Sequence, residues 1–350
     1  MTGTVHADVV CLGESMVTFL PTRPGPLADV PAFDRTIGGA ESNVACALAA
    51  AGHRVRWVSR VGADGFGDHL VDAVASYGVD TSRVRRDPDR PTGIYFRTAT
   101  DRATDAHEVV YYRAGSAASA MSPGNMAPED LWSGSVLHLS GITAALSDDC
   151  LALMRELTTR APGRPLVSFD VNHRPGLWRG SSAGSSGARV LLDLARGADL
   201  VFVGEDEAAE AWDLHDAQAI RAAVPEPVTL VVKHGAAGAT VYTREPGTGK
   251  APDLVVSVPS LRVDVVAHVG AGDAFAAGFL SATLRGLPPV ARLRHGHLMA
   301  AAALTVPGDL GAPPPRAYAD RLAGLDDGAW GRLRLGPGWT EATEQEVRTP

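Results

Sequence analysis

The sequence predicts an α/β domain in which a mostly parallel central sheet is covered by helices on both faces and carries a small antiparallel layer. Three observations point there. Short Val-rich runs, too brief for helices, alternate along the chain with segments of helical period. Several of these runs are almost continuously apolar, as expected of strands buried on both faces. Aromatic residues make up only 6% of the 350 residues, and the 45% hydrophobic content is carried mainly by Ala, Val and Leu, which suits helices packed closely on a sheet.

The strand-like runs are Asp8–Leu12, Val55–Val61, Ile94–Arg97, Val109–Arg113, Val136–Leu139, Leu166–Asp170, Leu200–Val203, Val228–Lys233 and Thr240–Tyr242. Helical patterns occupy Glu41–Ala51, Gly67–Tyr77, Ser147–Arg160, Ala188–Arg196, Asp206–Trp212 and Gly272–Arg285. Two stretches break the alternation. Thr18–Ile37 has no helical period, and Thr92–Arg113 reads as two strands around the polar turn Thr100–His107. Both suit a small antiparallel layer, used either as a lid or as a plain surface hairpin. Ser181–Gly187 (SSAGSSG) reads as a flexible surface loop. We expect residues 1–325 to form one domain, with inserted segments at about 14–38 and 92–115. Residues 326–350, where Gly, Pro and charge alternate, read as a peripheral tail.

A formal charge of −8 gives no general attraction to nucleic acid or to an anionic membrane, although it leaves open a local Arg pocket for an anion. Cys11, Cys46 and Cys150 are too few and too scattered for a disulfide framework or a zinc knuckle; Cys11 and Cys46 lie in apolar patterns and read as buried thiols. No 18-residue apolar run and no leader-like N-terminus is seen, so the expected location is cytoplasmic.

The strongest local signal is VGAGDAFAAGFLSATLRG, Val269–Gly286. Gly270, Ala271 and Gly272 precede an apolar helix that is expected to end at Gly286. Small residues at a helix start let backbone N–H groups converge on an anion, and the helix dipole adds favourable potential. A tight turn capped by Asp273 is the plainer alternative. A second such turn, Gly38-Gly39-Ala40, opens the helical pattern through Asn43. It has the spacing of neither a Walker loop nor a dinucleotide fingerprint. The two turns would meet in one crevice at the carboxyl ends of parallel strands.

Together, GGAESNVACALAAAG (Gly38–Gly52) and GAGDAFAAGF (Gly270–Phe279) resemble the two signatures of the ribokinase-like (PfkB-type) carbohydrate kinases, in order and in spacing. The resemblance runs over roughly residues 7–320. It implies a three-layer α/β/α domain with a small β-sheet lid, self-association through that lid, and ATP and Mg2+ as cofactors. It also implies direct transfer of the γ-phosphoryl group to a sugar hydroxyl, with Asp273 as the base and the Gly270–Gly272 backbone as the anion hole.

Further stretches resemble the 2-keto-3-deoxygluconate kinase branch: VYYRAGSAASAM (Val110–Met121), HLSGITAALS (His138–Ser147), SFDVNHRPGLW (Ser168–Trp178) and VPGDLGAP (Val306–Pro313). The branch implies a small sugar acid phosphorylated at its 6-hydroxyl. A carboxylate substrate suits Arg, whose fork binds it bidentately. By resemblance Gly38, Gly39, Asn43, Tyr95, Tyr111, Arg113, Arg174, Asp273 and Asp309 would line the sugar site. Strand alternation puts Tyr111 on the face of Arg113 and Tyr112 on the other, hence the choice of Tyr111. Arg174 is suited either to substrate or to the transferring phosphate. A fructokinase or ribokinase, and a catalytically weak sugar-binding regulator, are the alternatives.

VVKHGAAGATVY (Val231–Tyr242) resembles the family segment that borders ATP, which marks Lys233, Gly235 and Gly238, beside Gly270 and Gly272, for the nucleotide. Read alone, Gly235–Gly238 is a hairpin turn. The family often has Asn-x-x-Glu where this chain has Gly204-Glu205-Asp206-Glu207, leaving Glu207 as the residue to act on Mg2+ through water. A second departure is Ala267, where the family usually has Asp. It puts a monovalent-cation site of the ribokinase kind in doubt but leaves the base in place.

Overall fold

The computed structural model describes residues 6–23, 25–98, 108–179, 184–244 and 252–341. The expected turn at 100–107, residues 181–183 of the SSAGSSG loop and residues 342–350 of the expected tail lie outside the described residues.

The main sheet has eight strands in the order Leu254–Val258, Ala239–Thr243, Thr229–Lys233, Leu200–Gly204, Leu166–Asp170, Gly134–Ser140, Ala7–Leu12, Val55–Val58. All pairings from Thr229–Lys233 through Val55–Val58 are parallel, and the two remaining strands are added antiparallel at one edge. Alternation along each strand divides the apolar side chains between the two faces. On Ala7–Leu12, Val9 and Cys11 join one core cluster while Val10 and Leu12 join the other. Helices Ala40–Ala50, Ala271–Leu284 and Pro289–Leu304 cover the first face, and Asp148–Thr158 and Gly187–Gly197 the second. The result is the ribokinase-like three-layer α/β/α arrangement. Phe202 meets Phe275 and Phe279 edge-on, with ring centroids 6.5 and 5.4 Å apart, and so fixes the Gly-rich helix to the sheet. All three cysteines are buried and free.

A separate four-stranded sheet has the order Phe33–Gly38, Met16–Pro21, Ile94–Arg97, Val109–Tyr112. Its central pair is parallel and its outer pairs antiparallel, so it is mixed rather than purely antiparallel as expected. Phe19 and Phe96 stack across it at 4.8 Å. Three residues, 13–15, join its first strand to the main sheet, and Gly38 ends its edge strand where helix Ala40–Ala50 begins.

Several local expectations are corrected. The run Val55–Val61 breaks at Ser59, whose hydroxyl turns back to donate to the Gly13 carbonyl at 2.8 Å; Arg60–Gly62 then pairs with Arg85–Asp87 instead. The helix Arg316–Ala323 and the strand Leu254–Val258 were not anticipated, whereas the helical pattern around His295 and His297 is the helix Pro289–Leu304. Residues 326–341 are no loose tail. Asp326 caps helix Asp327–Arg332, Arg334–Leu335 pairs with Arg262–Val263, and Trp330 and Trp339 are buried in the first core cluster. Among the described residues no helix is long and apolar enough to cross a membrane.

Candidate active site

Both glycine turns lie at one end of the main sheet. Helix Ala271–Leu284 begins there after Gly270, which sits in the left-handed region at φ 77°. A methyl on Gly270 would fall 2.1 Å from the Asp309 carbonyl oxygen, so the turn needs glycine for both conformation and space. The first N–H groups of a helix find no acceptor within it, which leaves the start of this helix open to an anion. Gly38 meets a similar limit: an added Cβ would lie 2.3 Å from the Tyr95 hydroxyl and 3.1 Å from Asp309 Oδ2. The two turns thus close on Asp309, one at its backbone carbonyl and one at its carboxylate.

Asp273 stands in the first turn of its helix, and Asn43 Nδ2 donates to its Oδ2 at 2.8 Å. Burial pushes the Asp273 carboxyl up to about 7; the Asn43 hydrogen bond opposes this, and the nearby charges of Asp170 and Asp309 add to it. A carboxylate poised there can accept a proton near neutral pH.

Lys233 ends the strand Thr229–Lys233 and Asp170 ends Leu166–Asp170; Lys233 Nζ donates to Asp170 Oδ2 at 3.0 Å. A Cβ on Gly272 would lie 3.7 Å from the same Nζ, which sets this ammonium beside the helix start. Burial works against the Lys233 charge, but Asp170 and Glu207 outweigh it and hold its pKa above the ordinary value. Glu207 is itself raised by burial, and its Oε2 accepts from the Gly204 N–H at 2.9 Å in a helix-capping contact. Among the described residues no three His, Cys, Asp or Glu side chains are grouped to hold a metal directly. The hard oxygens of Asp170 and Glu207 fit Mg2+ approached through water.

On the small sheet, Tyr95 and Tyr111 face each other across paired strands and stack at 5.3 Å. Tyr112 points to the other face and meets Phe96 edge-on. Tyr95 is buried, while Tyr111 is 51% exposed. Burial holds the Asp309 carboxyl above its usual range, although Arg97 pairs with it at 2.9 Å. Arg113 has a partner that the sequence did not announce. Its guanidinium is already paired with Glu14, which is buried and also accepts from the Ser116 hydroxyl at 2.5 Å. Arg113 Nε–H finds no acceptor among the described residues, and the buried Oδ1 atoms of Asn43 and Asn172 find no donor. Polar atoms orphaned in this way mark places where a polar guest belongs.

Arg174 lies toward the rim, 54% exposed at its side chain and 3.6 Å from Glu207. Gly235 and Gly238 bound the short turn between Thr229–Lys233 and Ala239–Thr243, and Gly238 packs against the Val258 carbonyl. Their place in the fold is that of the hairpin turn.

Sequence reading missed Glu14, Arg97 and Asp170 as site residues, and Glu41 beside them. Glu41 is fully buried; Ser140 and Thr143 donate to its Oε1, tying helix Ala40–Ala50 to the end of strand Gly134–Ser140. Asn172, at φ 43°, gave no sequence signal of its left-handed backbone beyond being Asn.

Comparison with known proteins places this geometry. A family model described as pfkB family carbohydrate kinase matches residues 6–315. The chain is 33% identical to the 2-dehydro-3-deoxygluconokinase of Thermoproteus tenax, over 91% of this chain and 95% of that one. It is 34% identical to the Bacillus subtilis enzyme of the same name, covering 88% and 93%. A probable chloroplastic fructokinase-6 of Arabidopsis thaliana is 30% identical over 78% and 69%. Among solved structures, a PfkB protein from Polaromonas sp. aligns with TM-score 0.76 at 35% identity, covering 90% of this chain and 99% of that one. A fructokinase with bound ATP from Xylella fastidiosa aligns with TM-score 0.75 at 26% identity, covering 91% and 98%.

Proposed function

The chain belongs to the pfkB family of carbohydrate kinases, phosphotransferases acting on a hydroxyl group, and from that premise we propose that it phosphorylates 2-dehydro-3-deoxygluconate (2-keto-3-deoxygluconate) at its 6-hydroxyl. The observation that carries the chemistry is Asp273, buried to a pKa of about 7 at the start of a helix and held by Asn43. In this reading Asp273 accepts the proton of the attacking hydroxyl as the new O–P bond forms and the bond to ADP breaks. The N–H groups of Ala271, Gly272 and Asp273 take up charge on the transferring phosphoryl group, with Lys233 beside them. Asp170 and Glu207 would hold Mg2+ through water, and the ion would neutralise phosphate charge there.

The choice of acceptor rests on two things. The two 2-dehydro-3-deoxygluconokinases match more of the chain, at higher identity, than does the plant fructokinase. In addition, the small sheet brings Tyr95, Tyr111 and Arg113 toward Gly38 and Asp309, which together form a polar, partly aromatic wall. Arg113 shares its charge with Glu14 but keeps Nε–H free for a carboxylate, and Arg174 at the rim adds a second guanidinium. The pairing of Arg113 with Glu14 also favours a second reading, a neutral sugar such as fructose as acceptor. The 62% exposed Tyr112 on the edge strand Val109–Tyr112 supports self-association through this sheet.

The test is ADP release with 2-keto-3-deoxygluconate, 2-keto-3-deoxygalactonate, fructose, ribose and adenosine as acceptors. Turnover with the keto-deoxy acids at far higher kcat/KM is the expected result. Turnover confined to fructose or ribose would overturn the acid reading and leave the kinase assignment intact.

A further inference from the structure

At the opposite end of the main sheet from Asp273, where strands Leu166–Asp170, Leu200–Gly204 and Thr229–Lys233 begin, lies a cleft of about 1110 Å³. Four arginines line it, Arg160, Arg164, Arg244 and Arg292, against a single acid among the described lining residues, Asp199. In a chain of formal charge −8, this is a concentrated cationic surface. Asp199 is shared: Arg160 reaches its Oδ1 at 2.9 Å and Arg164 at 3.0 Å. The side chain of Arg164 is only 7% exposed, and its Nη1 is buried with no hydrogen-bond partner among the described residues. An unpaired guanidinium N–H held under cover costs free energy unless a ligand accepts from it.

The other guanidiniums are positioned by backbone rather than by acids. Arg244 donates to the carbonyls of Pro225 and Pro227, and Arg292 Nε to the Leu287 carbonyl at 2.6 Å. These contacts hold the forks in place without cancelling their charge. Helix Pro289–Leu304, of 16 residues, also starts at the cleft, so its dipole adds positive potential there. The remaining wall is apolar, with Leu166, Leu200, Val228 and Leu254 among its members.

We infer that this cleft is a second binding site, separate from the active site, for a small phosphate monoester whose non-phosphate part is apolar. The phosphate would sit among the guanidiniums, whose forks match its geometry, and the body against the apolar wall. The inference stands whichever sugar the active site accepts.

Isothermal titration of the intact protein with phenyl phosphate and with inorganic phosphate, each without and with saturating ATP, tests it. One phenyl phosphate site is expected, tighter than that for inorganic phosphate. Arg292→Gln should weaken it about tenfold, and Arg164→Gln at least as much, with KM for ATP unchanged in both. Arg292 makes no ion pair among the described residues, which keeps its variant informative if Arg164→Gln is unstable. Absence of binding, loss of binding when ATP is present, or wild-type affinity in Arg292→Gln would each overturn the inference.

Discussion

Asn43 and Asp273 stand 230 positions apart in the chain, yet the amide of one donates to the carboxylate of the other at 2.8 Å. That single contact joins the helix after the first glycine turn to the helix after the second. It also sets the protonation of the proposed base, because a hydrogen bond to the charged form opposes the upward push of burial.

With Asp273 at about 7, kcat/KM should fall about tenfold for each pH unit below 7 and level off above it, since the ionised form accepts the proton. Asp273→Asn should lower kcat by about 10²–10⁴-fold while ATP affinity, measured by titration, stays near wild type. Unchanged turnover would remove Asp273 from the mechanism.

The same shift has a stability signature. The folded pKa lies above the unfolded value near 3.8, so between about pH 4 and 7 the native state binds more protons and stability declines as pH rises. Asp273→Asn removes this penalty. Its melting temperature should exceed wild type at pH 8, with the advantage shrinking toward pH 4; an equal difference at both pH values would contradict the shift.

Asn43→Ala deletes the contact that favours the carboxylate, so the Asp273 pKa should climb further. The acidic limb of the rate profile then moves to higher pH, and part of the lost activity returns at pH 9. A uniform loss at every pH would show that Asn43 serves packing alone.

Lys233→Met strips the cation from between Asp170 and Glu207. Breaking a buried pair from one side costs about 3–5 kcal/mol, which urea unfolding would register. Lys233→Met combined with Asp170→Asn should recover much of that stability without recovering turnover, separating the structural part of Lys233 from its part beside the phosphates.

Gly270→Ala should disrupt folding or shift the helix start, because the left-handed backbone alone costs a non-glycine residue about 1–2 kcal/mol and the methyl meets the Asp309 carbonyl. A folded variant, checked by circular dichroism, should lose activity with acceptor and nucleotide alike. Wild-type kinetics would show that the turn tolerates a side chain.

The two glycine turns were legible because each signature is local: small residues followed at once by an apolar helix. The α/β alternation was legible for the same reason, with strand ends correct to a residue or two at Leu166–Asp170 and Leu200–Gly204. What stayed hidden depends on distant neighbours. Asp170 reads as one more strand-end acid until Lys233 is folded against it, and Arg97 as a surface charge until Asp309, 212 positions away, meets it. Arg113 was legible as a site residue, but nothing near it announced Glu14. Residues 326–341 failed differently: frequent Gly, Pro and charge masked Trp330, whose indole N–H donates to the Pro259 carbonyl from inside the core.

The small sheet is held to the rest of the molecule by Val17 and Ile37, which enter the first core cluster, and by paired side chains, Arg97 with Asp309 and Arg113 with Glu14. In the proposed roles, the strands Ile94–Arg97 and Val109–Tyr112 meet the acceptor, while helix Ala271–Leu284 and Lys233 handle the phosphoryl group. Choice of substrate and transfer chemistry therefore sit on different parts of the chain under separate mutational control. A lineage can change which sugar it accepts by rewriting a handful of positions on these strands, and inherit its phosphoryl-transfer machinery intact.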